Sequence, residues 1–301
     1  MSCADRRNAR CGDRCALTMI EQALSFECAG DVLIGIVSIP ERTRDIGVLV
    51  IVGGPQYRVG SHRQFVLLAR RLARQGFATM RFDYRGMGDS SGTPRPFDQV
   101  SDDIDAAIAA FRRACPAVAA VVLWGLCDAA SAALIYVDAR RSAPVAGMVL
   151  ANPWVRSGVT IAKAQIRHYY AARIFERTFW AKLVRGEVGM RHALRGFVSA
   201  AQNATRASDR GAPRSFQERM ASGLSAFHGQ VLIVSSGRDL TAREFDDYSR
   251  ADPAWRALLA RKTIDRCDIE DSDHTFSSDA SRDRVETATM EWLERRVAGA
   301  V

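Results

Sequence analysis

Short apolar runs of strand length alternate along this chain with longer stretches whose apolar positions recur at helical spacing. ALSFECAG followed by DVLIGIVSIP predicts two strands about a Gly-Asp turn. IGVLVIVGG at 46–54 is apolar throughout and ends in glycines, as a strand buried on both faces does. Ser61 is placed to cap a helix reaching about Gln75, with Phe65, Leu68, Ala69 and Leu72 on one face and Gly76 as its stop. FATMRFDYRG predicts the next strand, and SDDIDAAIAAFRRAC a helix whose acidic first turn suits the positive end of its dipole. The same alternation gives strands at 120–125, at VAGMVLANPW, at 230–239 and at 262–270. Helices are predicted at 128–140 and at the closing SRDRVETATMEWLERRVA. Strands alternating with helices of this length predict an α/β fold, a mostly parallel sheet with helices on both faces.

Two segments break the pattern. Residues 1–18 are charged and aperiodic and read as a disordered tail, with Met19 an alternative start. The alternation also stops at 154–228, where Ile166, Tyr170 and Ile174 recur at helical spacing among Tyr169, Phe175, Phe179 and Trp180. The expected organisation is therefore a core made of 19–153 and 229–301, with 154–228 inserted as a helical cap. An insert that follows a strand of a parallel sheet lies near the carboxyl ends of the strands, where ligands bind.

Charge sharpens that picture. The chain carries 42 basic and 34 acidic residues, a net +8. Residues 154–196 hold nine basic side chains against Glu176 and Glu187, a local +7, and the first eighteen residues add +2. The body is thus close to neutral, which argues against a nucleic-acid-binding face spread over the fold. The basic insert would suit an acidic glycan, an acyl carrier or an anionic membrane surface; an amphipathic cover with a solvated arginine face is the plainer reading. Seven cysteines at 3, 11, 15, 28, 115, 127 and 267 form no disulfide framework or zinc spacing, so reduced thiols and no bound metal or cofactor are expected. No run approaches the roughly 18 to 20 apolar residues that span a bilayer, and the first residues are not a secretory signal, so a cytoplasmic protein is expected.

The chemistry concentrates in VVLWGLCDAAS. An apolar strand runs into Gly125-Leu126-Cys127-Asp128-Ala129 and straight into a helix, the form of a nucleophile elbow with Cys for Ser and Ala129 for the second glycine. Small residues are required two positions either side because the turn brings strand and helix backbones together. A nucleophilic thiol needs a base, and the base needs an orienting carboxylate. His274 lies on a loop after the last strand, and Asp239 at the end of the strand before it. Asp246, Asp247 and Asp271 are less well placed alternatives. Two backbone donors for an oxyanion are expected: the N–H of Asp128 and that of Gly54 in Val52-Gly53-Gly54-Pro55-Gln56, with Gln56 as second choice. In FDYRGMGDSSG, Asp83 and Arg85 are expected to brace a loop.

With these residues in view, the chain from Met19 onward resembles the α/β-hydrolases. VGGPQYRVGSHRQF, RFDYRGMGDSSG, GLCDAAS and DHTFSS resemble more closely the exosortase A system-associated hydrolases of the type 1 group, which accompany bacterial exopolysaccharide and protein-sorting genes. The resemblance implies Cys127 as nucleophile, His274 as base and Asp239 as orienting acid, acting on a small-molecule or glycan-linked acyl substrate. It implies cleavage of an ester or thioester through an acyl-enzyme. Acyl transfer to an alcohol, or a binding role without catalysis, remain open on the sequence.

Overall fold

A computed structural model of the chain describes residues 18–54, 56–156 and 214–297. The chain divides into two compact units, Met1–Trp154 with Met220–Val301, and Val155–Arg219. Residues 1–17 of the expected tail and 157–213 of the expected cap lie outside the described residues, and with them most of the cap's basic and aromatic residues.

The first unit is built on a sheet of eight strands. These are β1 (Met19–Cys28), β2 (Asp31–Pro40), β3 (Ile46–Ile51), β4 (Thr79–Phe82), β5 (Ala120–Leu126), β6 (Val145–Ala151), β7 (Gln230–Ser236) and β8 (Ile264–Ile269). Their order across the sheet is β1-β2-β4-β3-β5-β6-β7-β8. β1, β2 and β4 pair antiparallel, and every pair from β4 to β8 is parallel. The β1–β2 turn is made by Ala29 and Gly30 with φ of 50° and 88°, not by Gly and Asp; Asp31 already pairs with Cys28. Two successive positive φ values match the right-handed twist of the strands they join.

Helices α1 (Gln64–Arg74), α2 (Ser101–Ala114) and α3 (Asp128–Ala139) follow β3, β4 and β5. α4 (Phe216–Ala226) precedes β7, α5 (Leu240–Ala251) and α6 (Pro253–Leu259) connect β7 to β8, and α7 (Asp279–Trp292) closes the chain. Ser61 does not cap α1. The chain enters that helix through a 3-10 turn in which His62 and Arg63 are left-handed, with φ of 52° and 61°, so no side-chain cap forms.

All six residues of β3 are buried, as a strand covered on both faces must be. Val48 and Val50 face Phe65, Leu68 and Leu72 of α1 and join a cluster with Trp124, Val149, Val234 and Trp292. Each such large side chain contributes roughly 1.5–3 kcal/mol on burial. On the opposite face Gly47 lies against Phe111 of α2, where an added Cβ would come within 2.8 Å of the ring. Trp124 keeps its indole N–H satisfied inside the cluster by donating to Thr289 Oγ1 at 3.3 Å.

The loop after β4 is fixed by charge. Arg85, 2% exposed, donates from its backbone N, Nε and Nη2 to the fully buried Asp103 of α2 at 2.9, 3.0 and 2.8 Å. Asp83 accepts from the backbone N of Arg58 at 2.7 Å and from its guanidinium, while Arg58 also reaches Asp89 at 2.6 Å. Bracing by Asp83 and Arg85 is thus what the sequence leads one to expect. Truncating Asp103→Ala strands a buried guanidinium, and the expected loss is about 3–5 kcal/mol in denaturant unfolding. A change under about 1 kcal/mol would show that Arg85 finds water instead.

Candidate active site

Cys127 stands where β5 passes into α3 without a connecting loop. Its backbone is at φ 64° and ψ −126°, a conformation non-glycine residues adopt only when their surroundings force it. The forcing contacts are present. Cys127 N donates to Ala151 O at 2.9 Å, and Cys127 O accepts from Ala130 N at 3.1 Å and Trp154 N at 3.3 Å. A Cβ on Gly125 would lie 2.6 Å from the carbonyl carbon of Ala129, so the elbow closes only with no side chain there.

Asp239 and His274 come to the same end of the sheet on two later strands. Asp239, 6% exposed, caps α5 by accepting from Thr241 N and Ala242 N, both at 3.1 Å. Its Oδ2 also faces His274 Nδ1 at 2.8 Å. That contact assigns the ring proton to Nδ1 and leaves Nε2 for Cys127, whose hydrogen bond and charge also act on the imidazole. His274's pKa is raised to about 10, chiefly by the Asp239 hydrogen bond and then by Cys127, with burial opposing. For Asp239 burial pushes upward, but the His274 bond and charge and the α5 amides outweigh it and the net shift is downward. Of the alternative carboxylates, Asp246 pairs with Arg266 and Asp271 with Arg238, each at 2.7 Å. His62 and His228 lie before α1 and β7, and His168 and His192 are outside the described residues.

Two residues not singled out from sequence hold the His274 loop. Asn152, fully buried after β6, donates through Nδ2 to His274 O at 3.0 Å and to Ser236 Oγ at 2.8 Å. Its Oδ1 accepts from Ser236 N at 2.9 Å, and Ser236 Oγ donates to Asp273 O at 2.8 Å. Asp273 in turn accepts from Thr275 N and Ser277 N at 3.2 and 2.9 Å. The hint in the sequence is a polar residue at the end of each of two apolar strands, Asn152 just after β6 and Ser236 closing β7.

The oxyanion donors expected from sequence are brought to the elbow, with an addition. Gly53 packs so tightly against it that a Cβ would meet Leu126 O at 2.6 Å. Gly54, at φ 59°, aims its N–H at the elbow and donates to Asp128 Oδ1 and Oδ2 at 2.8 and 3.0 Å. The amides of Ala129 and of Asp128 itself act on the same carboxylate. Gln56, the second choice, turns its Oε1 toward Ser61 N at 3.4 Å.

The sequence matches the family described as serine aminopeptidase, S33, over residues 46–222. Comparison with curated proteins gives no match. Among solved structures, the Pyrococcus furiosus esterase Pf2001 superposes with a TM-score of 0.62 at 14% identity, over 93% of this chain and 94% of its own. Est1E from Butyrivibrio proteoclasticus, solved with ferulic acid bound, gives 0.59 at 15% identity over 92% and 100%. A predicted CIB-like hydrolase from Thermoplasma acidophilum gives 0.57 at 11% identity over 92% and 99%. At these identities the likeness is one of fold.

The raised His274 pKa has a consequence for stability. The folded protein holds a proton there that the unfolded chain releases above about pH 6.5, so this contribution is complete below that pH and is lost as pH rises through about 10. Thermal unfolding should therefore fall in midpoint across this interval, and His274→Gln should flatten that part of the profile. Parallel profiles for the two proteins would contradict the assignment.

Proposed function

The chain belongs to the serine aminopeptidase S33 family of α/β hydrolases, and we propose that it hydrolyses an ester or thioester through an acyl intermediate on Cys127. The observation that carries this reading is the relay from Asp239 through His274 to Cys127, with Nδ1 held by the carboxylate at 2.8 Å. The same spatial order of acid, imidazole and nucleophile serves acyl transfer on unrelated folds.

His274, held at Nδ1 by Asp239, takes the Cys127 proton through Nε2 as the sulfur attacks. The Cys127 sulfur adds to the acyl carbon, and the C=O π electrons move to oxygen. As the oxyanion collapses, the bond to the leaving oxygen or sulfur breaks, and His274 gives that atom its proton. Water then attacks the acyl-Cys127 carbonyl while His274 takes a proton from it, and the acid departs as the thiolate returns. The family's name refers to serine and to amides, and Cys127 shifts the preference. A tetrahedral adduct of an amide expels thiolate more readily than amine unless the nitrogen is first protonated, whereas an ester or thioester leaves without that demand. Substrates with activated acyl groups are the class this nucleophile serves best.

The finer association, with bacterial exopolysaccharide and exosortase systems, rests on the four sequence motifs alone. Among the described residues no helix is long and apolar enough to cross a membrane.

Two measurements test the reading. Hydrolysis of an aryl ester or aryl thioester should drop by about a thousandfold or more in Cys127→Ala. Labelling of Cys127 by iodoacetamide at neutral pH should slow by roughly tenfold or more in His274→Ala. Wild-type turnover by Cys127→Ala would end the proposal.

A further inference from the structure

The pocket that should receive a substrate's oxyanion already contains an anion. Gly54 N–H points at the Asp128 carboxylate at 2.8 and 3.0 Å, and the Asp128 and Ala129 amides act on that same group. The Gly54 and Asp128 amides are the two donors that the sequence leads one to expect for a substrate's oxyanion. The side chain packs so closely that a Cβ on Gly53 would collide with its Oδ1. Backbone amides at a strand–helix junction form an anion site through their partial positive charge, and a carboxylate one bond from the helix start can fill it.

We propose that the Asp128 side chain is the resting occupant of the oxyanion hole, an internal competitor that a substrate carbonyl must displace before Cys127 can add to it. This rests on the acyl-enzyme reading and goes beyond it, because it assigns the Asp128 side chain, and not only its amide, a part in selecting substrates. Weakly polarised carbonyls are refused, since only a carbonyl that gains from the amides as charge develops overcomes the carboxylate's prior hold.

On this proposal the displaced side chain turns toward Tyr84. Tyr84, on the loop after β4, is 8% exposed, and its hydroxyl finds no hydrogen-bond partner among the described residues. A buried hydroxyl left unpaired is costly, and such groups mark an unfilled role. The Tyr84 pKa is pushed well up by burial first, and then by the charges of Asp128 and Asp103. Rotation of Asp128 toward Tyr84 would satisfy the orphan hydroxyl as the hole empties. Asp128 is poised for release in its turn. Burial raises its pKa even though the amides and the charge of His274 oppose the rise. The charged group that acts on it is His274, and its own charge acts on Tyr84.

An aryl trifluoromethyl ketone tests this without requiring turnover. The Cys127 thiolate adds to its carbonyl carbon, the π pair moves to oxygen, and nothing leaves, so adduct formation reports directly on the hole. Fluorine NMR measures the adduct's dissociation constant in wild type, Asp128→Ala, Tyr84→Phe and the double variant, and iodoacetamide labelling checks Cys127 in each. Asp128→Ala should bind the ketone roughly tenfold or more tightly, the loss of a charged hydrogen-bonded competitor. Tyr84→Phe should weaken the adduct in the wild-type background and change nothing once Asp128 is Ala. Unchanged or weaker binding in Asp128→Ala, with labelling intact, overturns the inference while leaving the nucleophile assignment standing. Should Asp128→Ala fail to fold, equal binding by wild type and Tyr84→Phe overturns it. Failure of wild-type Cys127 to label removes the acyl-enzyme reading and this inference together.

Discussion

Everything at the active end of this molecule depends on one backbone turn. At Cys127 the chain changes from strand to helix within a single residue, at φ 64° and ψ −126°. That conformation costs of order 1–3 kcal/mol and persists only where neighbours over-determine it. Here the neighbours are Gly125, whose missing side chain lets Ala129 approach, and the end of β6, which fixes the Cys127 amide. The strain also has a chemical return. On the proposed reading, the nucleophile and its oxyanion donors come from this one bend.

The other site residues reach that bend by a common geometry. Asp239 and His274 each follow a strand of the parallel sheet, so parallel register alone delivers them to one edge. Register places them only to within a few ångströms; hydrogen bonds do the rest. Asp239 is locked as the cap of α5, and the His274 loop is tied through Asn152 and Ser236 to the ends of β6 and β7. The imidazole is thus fixed from both sides, its ring by a carboxylate and its backbone by an amide. The Arg58–Asp83 and Arg85–Asp103 contacts hold the facing loops in the same manner.

Much of this was legible in the sequence because it rests on local rules. The small-residue spacing around Cys127, the apolar run of β3 and the order of Cys127, Asp239 and His274 each follow from sterics or topology that a linear text records. Other features depend on who meets whom. Asn152 and Ser236 are 84 positions apart and become partners only when β6 and β7 pair. Asp128 enters the sequence argument as an amide alone, since nothing in its neighbours announces that its side chain turns back onto Gly54. Ser61 has the residue type of a helix cap and fails as one because His62 and Arg63 bend the chain the other way. The basic, aromatic insert keeps the standing of an expectation.

Asn152 is followed by Pro153. Asparagines age by attack of the next residue's backbone nitrogen on the side-chain amide, a ring closure that turns them to aspartate and isoaspartate. A proline nitrogen carries no hydrogen to lose and is already tied into its own ring. The residue after Asn152 therefore withholds the reagent. Conversion to aspartate would replace a donor to His274 O and Ser236 Oγ by an acceptor, setting a buried negative charge against two oxygens. The fastening of the His274 loop is thus protected from slow chemical decay by the covalent identity of its neighbour, a form of durability that owes nothing to folding free energy.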